Sequence, residues 1–305
     1  MSWKKRLLLA AMSFPLLLIV LLTWGLIEPY TLDNEEEEAI IPNLPSSWEG
    51  KKIAQLSDFQ VGMWWDNVNT IDESVEKIIA EKPVAVLISG DFIYHAAPDG
   101  KAEIEEVVDL IRPLAEMNIP VYAVLGNHDY GIRNKNTQPK PNLANKLERA
   151  LEEAGIMVMK NEAIALELNN VTDGEDDANL YLVGIGSHWA KNDRVNEALA
   201  QVPQDRPRIV LMHNPDSFEA FPANTAPFSV AGHTHGGQIR LPNSPQWSWL
   251  ALTKEDKVVA DGWAKGYGAA GNNLYVNRGI GFSDIPIRIN CAPEITFFTL
   301  RSQAE

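Results

Sequence analysis

The 305-residue chain contains a single cysteine, Cys291, and therefore cannot form an internal disulfide bond. A chain of this length can bury a continuous core without such cross-links, and their absence is compatible with any cellular compartment. Because Cys291 lies close to the last predicted strand, we expect it to be buried as packing rather than exposed as a nucleophile.

Basic residues are also scarce, since 26 Lys and Arg stand against 41 Asp and Glu and the formal net charge is -15. Grooves that follow a phosphate backbone depend on clustered Lys and Arg. The composition therefore argues against a nucleic-acid partner. The sequence shows no internal repeat, and its length suits one large domain or two small ones.

The first thirty residues differ from the rest of the chain. The basic sequence Trp3-Lys4-Lys5-Arg6 precedes Leu7 to Ile27, a run of 21 residues without a charged side chain. As a helix this run would be roughly 30 Å long, which matches the hydrocarbon thickness of a bilayer. We therefore predict that residues 1–30 form a membrane anchor. A cleaved signal peptide is the alternative, but the run exceeds the roughly 7–15 apolar residues of such peptides.

Charges around the apolar run predict its orientation. Lys and Arg precede the run, whereas Glu28 and the acidic stretch Glu35 to Glu38 follow it. Because basic flanks remain on the cytoplasmic side, we expect a single-pass protein of the cell membrane. Its N-terminus would be cytoplasmic and its main domain extracytoplasmic (periplasmic). Residues 31–47, acidic and then interrupted by prolines, are predicted to be a linker to a domain formed by residues 48–305.

Beyond residue 50, short apolar runs alternate with amphipathic segments. The runs 53–56, 84–89 and 121–125 are rich in Val, Ile and Leu, and apolar residues recur at helical spacing between them. This alternation is typical of a parallel α/β sheet, and further strand-like runs follow in the second half. We predict an α/β fold with two facing sheets and helices outside. In such folds ligands bind beyond the carboxyl ends of the strands.

Acidic, amide and imidazole side chains follow several of these strands. They are Asp58, Asp91, Asn127, His213, His233 and His235. Taken singly, a strand-end Asp is most often a helix cap or turn former, and a lone His is usually a structural residue. Six such residues at strand ends favour one shared site instead. Their donor atoms suit a divalent metal such as Mg, Mn, Fe or Zn.

Five short motifs also follow one another in a fixed order along the chain. They are Ser57-Asp58-Phe59-Gln60, Gly90-Asp91, Gly126-Asn127-His128-Asp129, Met212-His213-Asn214 and Gly232-His233-Thr234-His235-Gly236-Gly237. In residue type, order and spacing they resemble the calcineurin-like metallophosphoesterases, over about residues 51–300. The segments 236–242 and 276–296 look like the membrane-associated bacterial branch. That branch includes small phosphodiesterases and relatives that cleave UDP-2,3-diacylglucosamine.

The resemblance implies a four-layer αββα sandwich with two divalent metals at the sheet edges. Asp91 would bridge both metals, Asp58 and His235 would hold the first, and the second would be held by Asn127, His213 and His233. His128 would stabilise or protonate the leaving oxygen, with Asp129 as its orienting partner. The reaction implied is hydrolysis of phosphate esters or diesters by metal-bound hydroxide.

One position departs from the family pattern, because the first motif usually reads Asp-x-His and here it reads Asp58-Phe59-Gln60. A Gln carbonyl oxygen is a weaker and harder donor than imidazole, which favours Mn or Mg over Zn. Alternatively, Gln60 does not ligate and water takes its place.

The sequence leaves open two alternatives to a phosphoesterase. One is a pyrophosphate hydrolase of the UDP-2,3-diacylglucosamine type, and the other is a catalytically weak protein that binds phosphorylated ligands. Trp64-Trp65 and the pair Trp247 and Trp249 flank the motifs and suggest an apolar wall for a lipid tail or a membrane. We expect a phosphorylated small molecule or a lipid-linked compound as substrate. The sequence leaves the oligomeric state open.

Overall fold

A computed structural model describes residues 2–65, 67–94, 99–134, 136–168, 179–241, 244–253 and 259–303. The helices are α1 (Trp3–Ile27), α2 (Val68–Glu81), α3 (Lys101–Glu116), α4 (Pro141–Glu153), α5 (Val195–Leu199) and α6 (Trp249–Thr253). The strands of the first half are β1 (Asp33–Ile41), β2 (Lys52–Leu56), β3 (Ala85–Ile88), β4 (Val121–Ala123), β5 (Met157–Val158) and β6 (Glu162–Leu166). Those of the second half are β7 (Leu180–Gly184), β8 (Arg208–Leu211), β9 (Phe228–Ala231), β10 (Arg240–Leu241), β11 (Ser244–Ser248), β12 (Gly262–Trp263), β13 (Leu274–Val276) and β14 (Glu294–Ser302).

Two six-stranded sheets form the centre of the fold, in the orders β1-β14-β2-β3-β4-β5 and β12-β13-β9-β8-β7-β6. One core cluster contains residues from both sheets, such as Leu87 of β3 and Leu211 of β8, and fills the space between them. A second cluster joins α2, α3 and α4 to the first sheet, and a third packs α5 and a 3-10 helix (Pro215–Ala220) on the second sheet. The predicted four-layer αββα architecture is therefore confirmed, with a thin fourth layer.

Parallel pairing positions the strand ends that carry the predicted site. In the first sheet β2, β3 and β4 run parallel, with Leu56 beside Ile88 and Ile88 beside Ala123. In the second sheet β7, β8, β9 and β13 run parallel. Because parallel strands end at one edge, the loops that follow them lie side by side in each sheet.

The acidic segment predicted to be a linker is instead an edge strand of the first sheet. β1 pairs in parallel with β14 along its whole length, from Asp33 beside Glu294 to Ile41 beside Ser302. The alternation of a strand sends its carboxylates to two faces. On one face, Asp33 and Glu35 accept hydrogen bonds from Arg278 at 3.2 and 3.0 Å, and Glu37 accepts one from Trp263. On the other face, Glu36 pairs with Lys52 and Glu38 pairs with Arg301. The prediction that this segment is a linker is therefore wrong. It is a paired strand, and its carboxylates bind residues from distant parts of the chain.

The N-terminal helix α1 supplies most of a stretch, Met12–Tyr30, that is long and apolar enough to cross a membrane, and the 3-10 helix Glu28–Tyr30 completes it. The last turn of α1 packs on the domain: the Arg288 N–H donates to the Gly25 carbonyl at 3.0 Å. The buried Glu28 carboxylate accepts from the backbone N–H groups of Asn290, at 3.0 Å, and Cys291. The helix therefore continues into the fold without a free spacer. Cys291 is buried, as its predicted packing role requires.

Candidate metal centre

The ends of five parallel strands bring all seven predicted ligands into one cluster. β2 is followed by Asp58 and Gln60, β3 by Asp91, β4 by Asn127, β8 by His213, and β9 by His233 and His235. Contacts cross between the sheets: His213 Nε2 lies 3.1 Å from Asn127 Oδ1, and the His233 N–H donates to Asp58 Oδ2 at 3.0 Å. Six of the seven side chains are buried and His233 is partly exposed.

Five of these residues occupy the left-handed backbone region that non-glycine residues rarely adopt. Their φ values are 53° at Asp58, 55° at Gln60, 56° at Asp91, 74° at His233 and 49° at His235. Each such residue costs on the order of 1–3 kcal/mol, and strain of this kind concentrates at functional sites. The tight turns at the strand ends therefore aim these side chains inward at the expense of backbone stability.

One group of donors gathers around His213. Ligand atoms of Asp91, His213 and His233 all lie within 4.8 Å of one another. His213 Nδ1 is 2.7 Å from the Ser89 carbonyl, so it carries the proton and leaves Nε2 to face the cluster. The Asn127 amide is oriented in the same way, because its Nδ2 donates to the Ile132 carbonyl at 2.9 Å and its Oδ1 points to His213.

A second group of donors lies on the other side of Asp91. His235 Nε2 is 3.5 Å from Asp58 Oδ1, and Gln60 Nε2 is 3.0 Å from Asp91 Oδ2 and 3.4 Å from His235 Nε2. Gln60 Oε1 is buried with no hydrogen-bond partner among the residues that the structure describes. Rotation of the amide by 180° exchanges its oxygen and nitrogen and would direct the oxygen at Asp91 and His235. The Gln60 side chain therefore reaches into this group.

Neighbouring charges inside the cluster shift the pKa values of one another. Burial raises the pKa of Asp58 to about 6, and the nearby Asp91 carboxylate adds to that rise. Burial acts in the same direction on Asp91, yet His213 and His128 outweigh it and the pKa of Asp91 is lowered. At His213 burial would lower the pKa, but the Asp91 carboxylate outweighs it and raises the pKa of this imidazole to about 9. Because an imidazole must be deprotonated at the nitrogen that binds a metal, affinity for a cation should fall as the pH decreases.

His128 lies beside the cluster without entering it. Its backbone N–H donates to Asp91 Oδ1 at 2.8 Å, and its ring stacks on the Tyr94 ring at a centroid distance of 4.7 Å. Burial lowers the pKa of His128, which favours the neutral ring. Tyr94 is a site residue that the sequence analysis missed. No local signal reveals it, since the stacking arises only when the loops after β3 and β4 meet.

Asp129 does not occupy the position predicted for an orienting partner of His128. Its Oδ2 accepts the N–H groups of Asp91 and Gly126 at 2.9 and 2.7 Å, and its Oδ1 accepts those of Phe92 and Ile93 at 2.8 and 3.3 Å. The short 3-10 turn His128–Tyr130 directs this carboxylate into the loop after β3. Asp129 thus fixes the backbone that carries Asp91, and the His128 ring is supported by Tyr94 instead.

Two glycines permit the close approach of these loops. A Cβ at Gly126 would overlap the Asp91 carboxylate, and one at Gly232 would overlap the Ser57 hydroxyl beside Asp58. Ser57 Oγ donates to Asp58 Oδ2 at 2.5 Å, so this contact orients a predicted ligand. Any larger residue at either glycine would displace an acidic side chain of the cluster.

Comparisons with known proteins agree with this geometry. Residues 51–279 match the model of the calcineurin-like phosphoesterase family. The chain is 31% identical to phosphodiesterase YaeI of Escherichia coli over 255 residues, which cover 82% of each protein. It is 27% identical to the uncharacterised metallophosphoesterase YkuE of Bacillus subtilis over 90% of this chain and 88% of that one. It is also 27% identical to the UDP-2,3-diacylglucosamine pyrophosphatase LpxG of Chlamydia muridarum over 85% of this chain and 88% of the relative. The chain therefore belongs to the calcineurin-like phosphoesterase family and is a metal-dependent hydrolase of phosphate esters.

Proposed function

We propose that the cluster binds two divalent cations and that the chain hydrolyses phosphate esters or diesters there. The observation that carries this proposal is the central position of Asp91, whose Oδ2 lies 3.0 Å from Gln60 Nε2 and 3.3 Å from His213 Nε2. One carboxylate thus faces both donor groups and is suited to bridge two ions. Asp58, Gln60 and His235 would complete the first site, and Asn127, His213 and His233 the second.

The donor set fits such ions. It consists of carboxylates, amide oxygens and imidazoles, which suit Mn, Mg, Fe or Zn, and the only thiol of the chain is outside it. The buried Gln60 Oε1, without a partner among the described residues, is supplied with one if a cation binds there. The amide donor favours Mn or Mg for the first site. When bound, two such cations lower the pKa of the attacking water, hold the phosphate oxygens and neutralise developing negative charge.

His128 contributes a proton-carrying group beside this centre. Its ring is held on the Tyr94 face, and its backbone N–H binds the proposed bridging carboxylate of Asp91. Burial lowers the pKa of the free ring, whereas an anionic phosphate nearby favours the protonated form. The ring can therefore stabilise or protonate the leaving oxygen. Asp129 is a positioning residue that holds the Asp91 loop.

The proposed activity is tested with the full-length protein in nanodiscs, supplied separately with Mn, Mg, Zn and Fe. The substrates are p-nitrophenyl phosphate and its bis ester, and we expect hydrolysis with Mn or Mg. The identity with a UDP-2,3-diacylglucosamine pyrophosphatase favours that nucleotide lipid as a second candidate substrate. Absence of both activity and bound metal under every condition would instead support a protein that only binds phosphorylated ligands.

We further propose that α1 is a retained membrane anchor and that the domain, from β1 onward, is extracytoplasmic. Support comes from the basic residues before the apolar stretch and from Glu28 and the acidic β1 after it. This topology predicts that Met117→Cys is labelled on intact cells by a maleimide that cannot cross the membrane, because Met117 is 50% exposed. The wild type is the control, since its only thiol, Cys291, is buried. Labelling only after lysis would reverse the topology and favour a cytoplasmic nucleotide substrate.

Substitution of Gln60 tests its proposed role as a ligand. Gln60→His should raise the affinity for Zn by about tenfold or more, ~1.4 kcal/mol, because imidazole is a better donor than an amide oxygen. The gain should be smallest for Mg. The matched control is Gln60→Met, which keeps the length of the side chain and removes the oxygen, and should weaken Mn binding. Calorimetric titration of all three proteins measures this, and equal affinities would show that water occupies this position.

A further inference from the structure

Large apolar side chains are exposed on three segments near the metal centre, namely the loop after β2, the end of β11 with the start of α6, and the loop between β13 and β14. We call this set the apolar rim: Trp64, Trp65, Trp247, Trp249 and Ile285. Trp64 and Trp65 follow the first ligand motif and are 67% and 46% exposed, and Ile285 is 45% exposed. Soluble proteins seldom expose large contiguous patches of apolar side chains. Such residues are typical of surfaces that contact a membrane interface.

Hydrogen bonds join the loops of the apolar rim. Trp64 Nε1 donates to the carbonyl of Asp284, the neighbour of Ile285, at 3.1 Å. Gln238 Nε2 donates to the carbonyls of Ile285 and Ile287 at 3.3 and 3.1 Å. The segment that begins at Gln238 is in turn bonded to the start of α6, because the Trp249 backbone N–H donates to the Ile239 carbonyl at 2.7 Å. The rim is thus built around the segment 284–289.

The segment 284–289 also contacts the N-terminal helix α1. The Arg288 N–H binds the Gly25 carbonyl, and a Cβ at Gly25 would come within 2.7 Å of Ile287 Cγ2, so the helix packs tightly here. Trp24 and Ile27 of this turn are exposed at the same end of α1. The apolar stretch of α1 therefore leaves the domain next to the apolar rim, and a bilayer that accommodates the helix would lie against the rim.

The apolar rim is also close to the reacting groups. Tyr94 donates from its hydroxyl to Asp284 Oδ1 at 2.9 Å, and the same Tyr94 ring supports His128. On the other side, the Gln238 N–H donates to the carbonyl of the ligand His235 at 3.0 Å. The rim is thus linked to His128 through Tyr94 and to His235 through Gln238.

We propose that the apolar rim inserts into the headgroup–acyl boundary of the bilayer that contains α1 and holds the catalytic site at the membrane surface. The occupant of this surface is the bilayer, because the helix that would enter it is bonded to the same segment as the rim. The proposal rests on the proposed function only through the retention of α1. It places the rim side chains roughly 5–10 Å into the interface, the depth of other apolar faces that lie in a membrane surface.

The test uses the full-length protein in nanodiscs, with one cysteine introduced per variant. Trp65→Cys and Ile285→Cys probe the apolar rim, and Met117→Cys is the matched control on an exposed apolar residue outside it. The native Cys291 is buried and does not take the label. Each variant carries an environment-sensitive fluorophore, and the nanodiscs contain lipids with a nitroxide on the acyl chain. We expect quenching at positions 65 and 285 of about twofold or more, and little at 117.

Equal, weak quenching at all three positions would overturn the inference. If such a protein still hydrolyses the bis ester, the proposed function stands and the rim is a surface for another protein. If the protein does not remain with the nanodiscs, the anchor is absent and the inference falls with it. Hydrolysis of the soluble bis ester should be unchanged in the labelled variants, since no rim residue belongs to the metal centre.

Discussion

Replacement of Asp91 by alanine should reduce phosphoesterase activity to background and remove the bound metals at the same time. Asp91 faces both donor groups through Oδ2, and it also accepts the His128 N–H through Oδ1. Without it, Asp58 is the one carboxylate left among the seven proposed ligands, and the cluster loses negative charge that attracts two cations. Metal content per chain by elemental analysis and hydrolysis of the p-nitrophenyl bis ester measure the two effects.

The control for this experiment separates metal loss from misfolding. Asp91→Asn keeps the size of the side chain and an oxygen that can accept from His128, and it removes only the negative charge. We expect a folded protein, shown by circular dichroism and thermal unfolding, that still loses metal and activity. Two ions per chain in Asp91→Ala would refute the bridging role.

The fold could be predicted from sequence wherever apolar periodicity and strand length agree. β2, β3 and β4 are short strands rich in Ile, Val, Leu and Ala, and α2 buries Ile71, Val75 and Ile78 on one face. The proximity of the candidate ligands was predictable for the same reason, because parallel strands bring the residues after their carboxyl ends to one edge.

Features that depend on distant partners were not predictable. Glu is depleted in strands, so the run Glu35 to Glu38 gave no strand signal. It forms β1 by pairing with β14 and burying Ala39 and Ile41, and Arg278, Lys52 and Arg301 bind its carboxylates. The family resemblance predicts Asp129 as the orienting partner of His128, yet a 3-10 turn directs the two side chains to different neighbours. The docking of α1 is of the same kind, since it depends on a loop more than 250 residues further along the chain.

Replacement of His128 by alanine should leave both metals bound and lower the rate of hydrolysis by roughly 10²-fold or more. The backbone N–H of residue 128, which binds Asp91, is retained in the variant, so the metal centre keeps this contact. Only the imidazole is lost, and with it the group proposed to act on the leaving oxygen. Elemental analysis should give the wild-type metal content, in contrast to Asp91→Ala. Equal metal loss in the two variants would show that His128 supports the centre itself.

The chemistry of the leaving group distinguishes an acid from a structural residue. A p-nitrophenolate leaves without protonation at neutral pH, whereas an alkoxide needs a proton. If His128 acts as the acid, His128→Ala should lose more rate on an alkyl phosphate ester than on a p-nitrophenyl ester, because protonation matters more as the pKa of the leaving group rises. Tyr94→Phe is the matched control, since it keeps the stacked ring and removes only the hydroxyl that binds Asp284. A loss of rate in His128→Ala that is the same for both esters would assign the ring to positioning of the phosphate, and near wild-type rates in Tyr94→Phe would show that the ring stacking supports His128 without the hydroxyl.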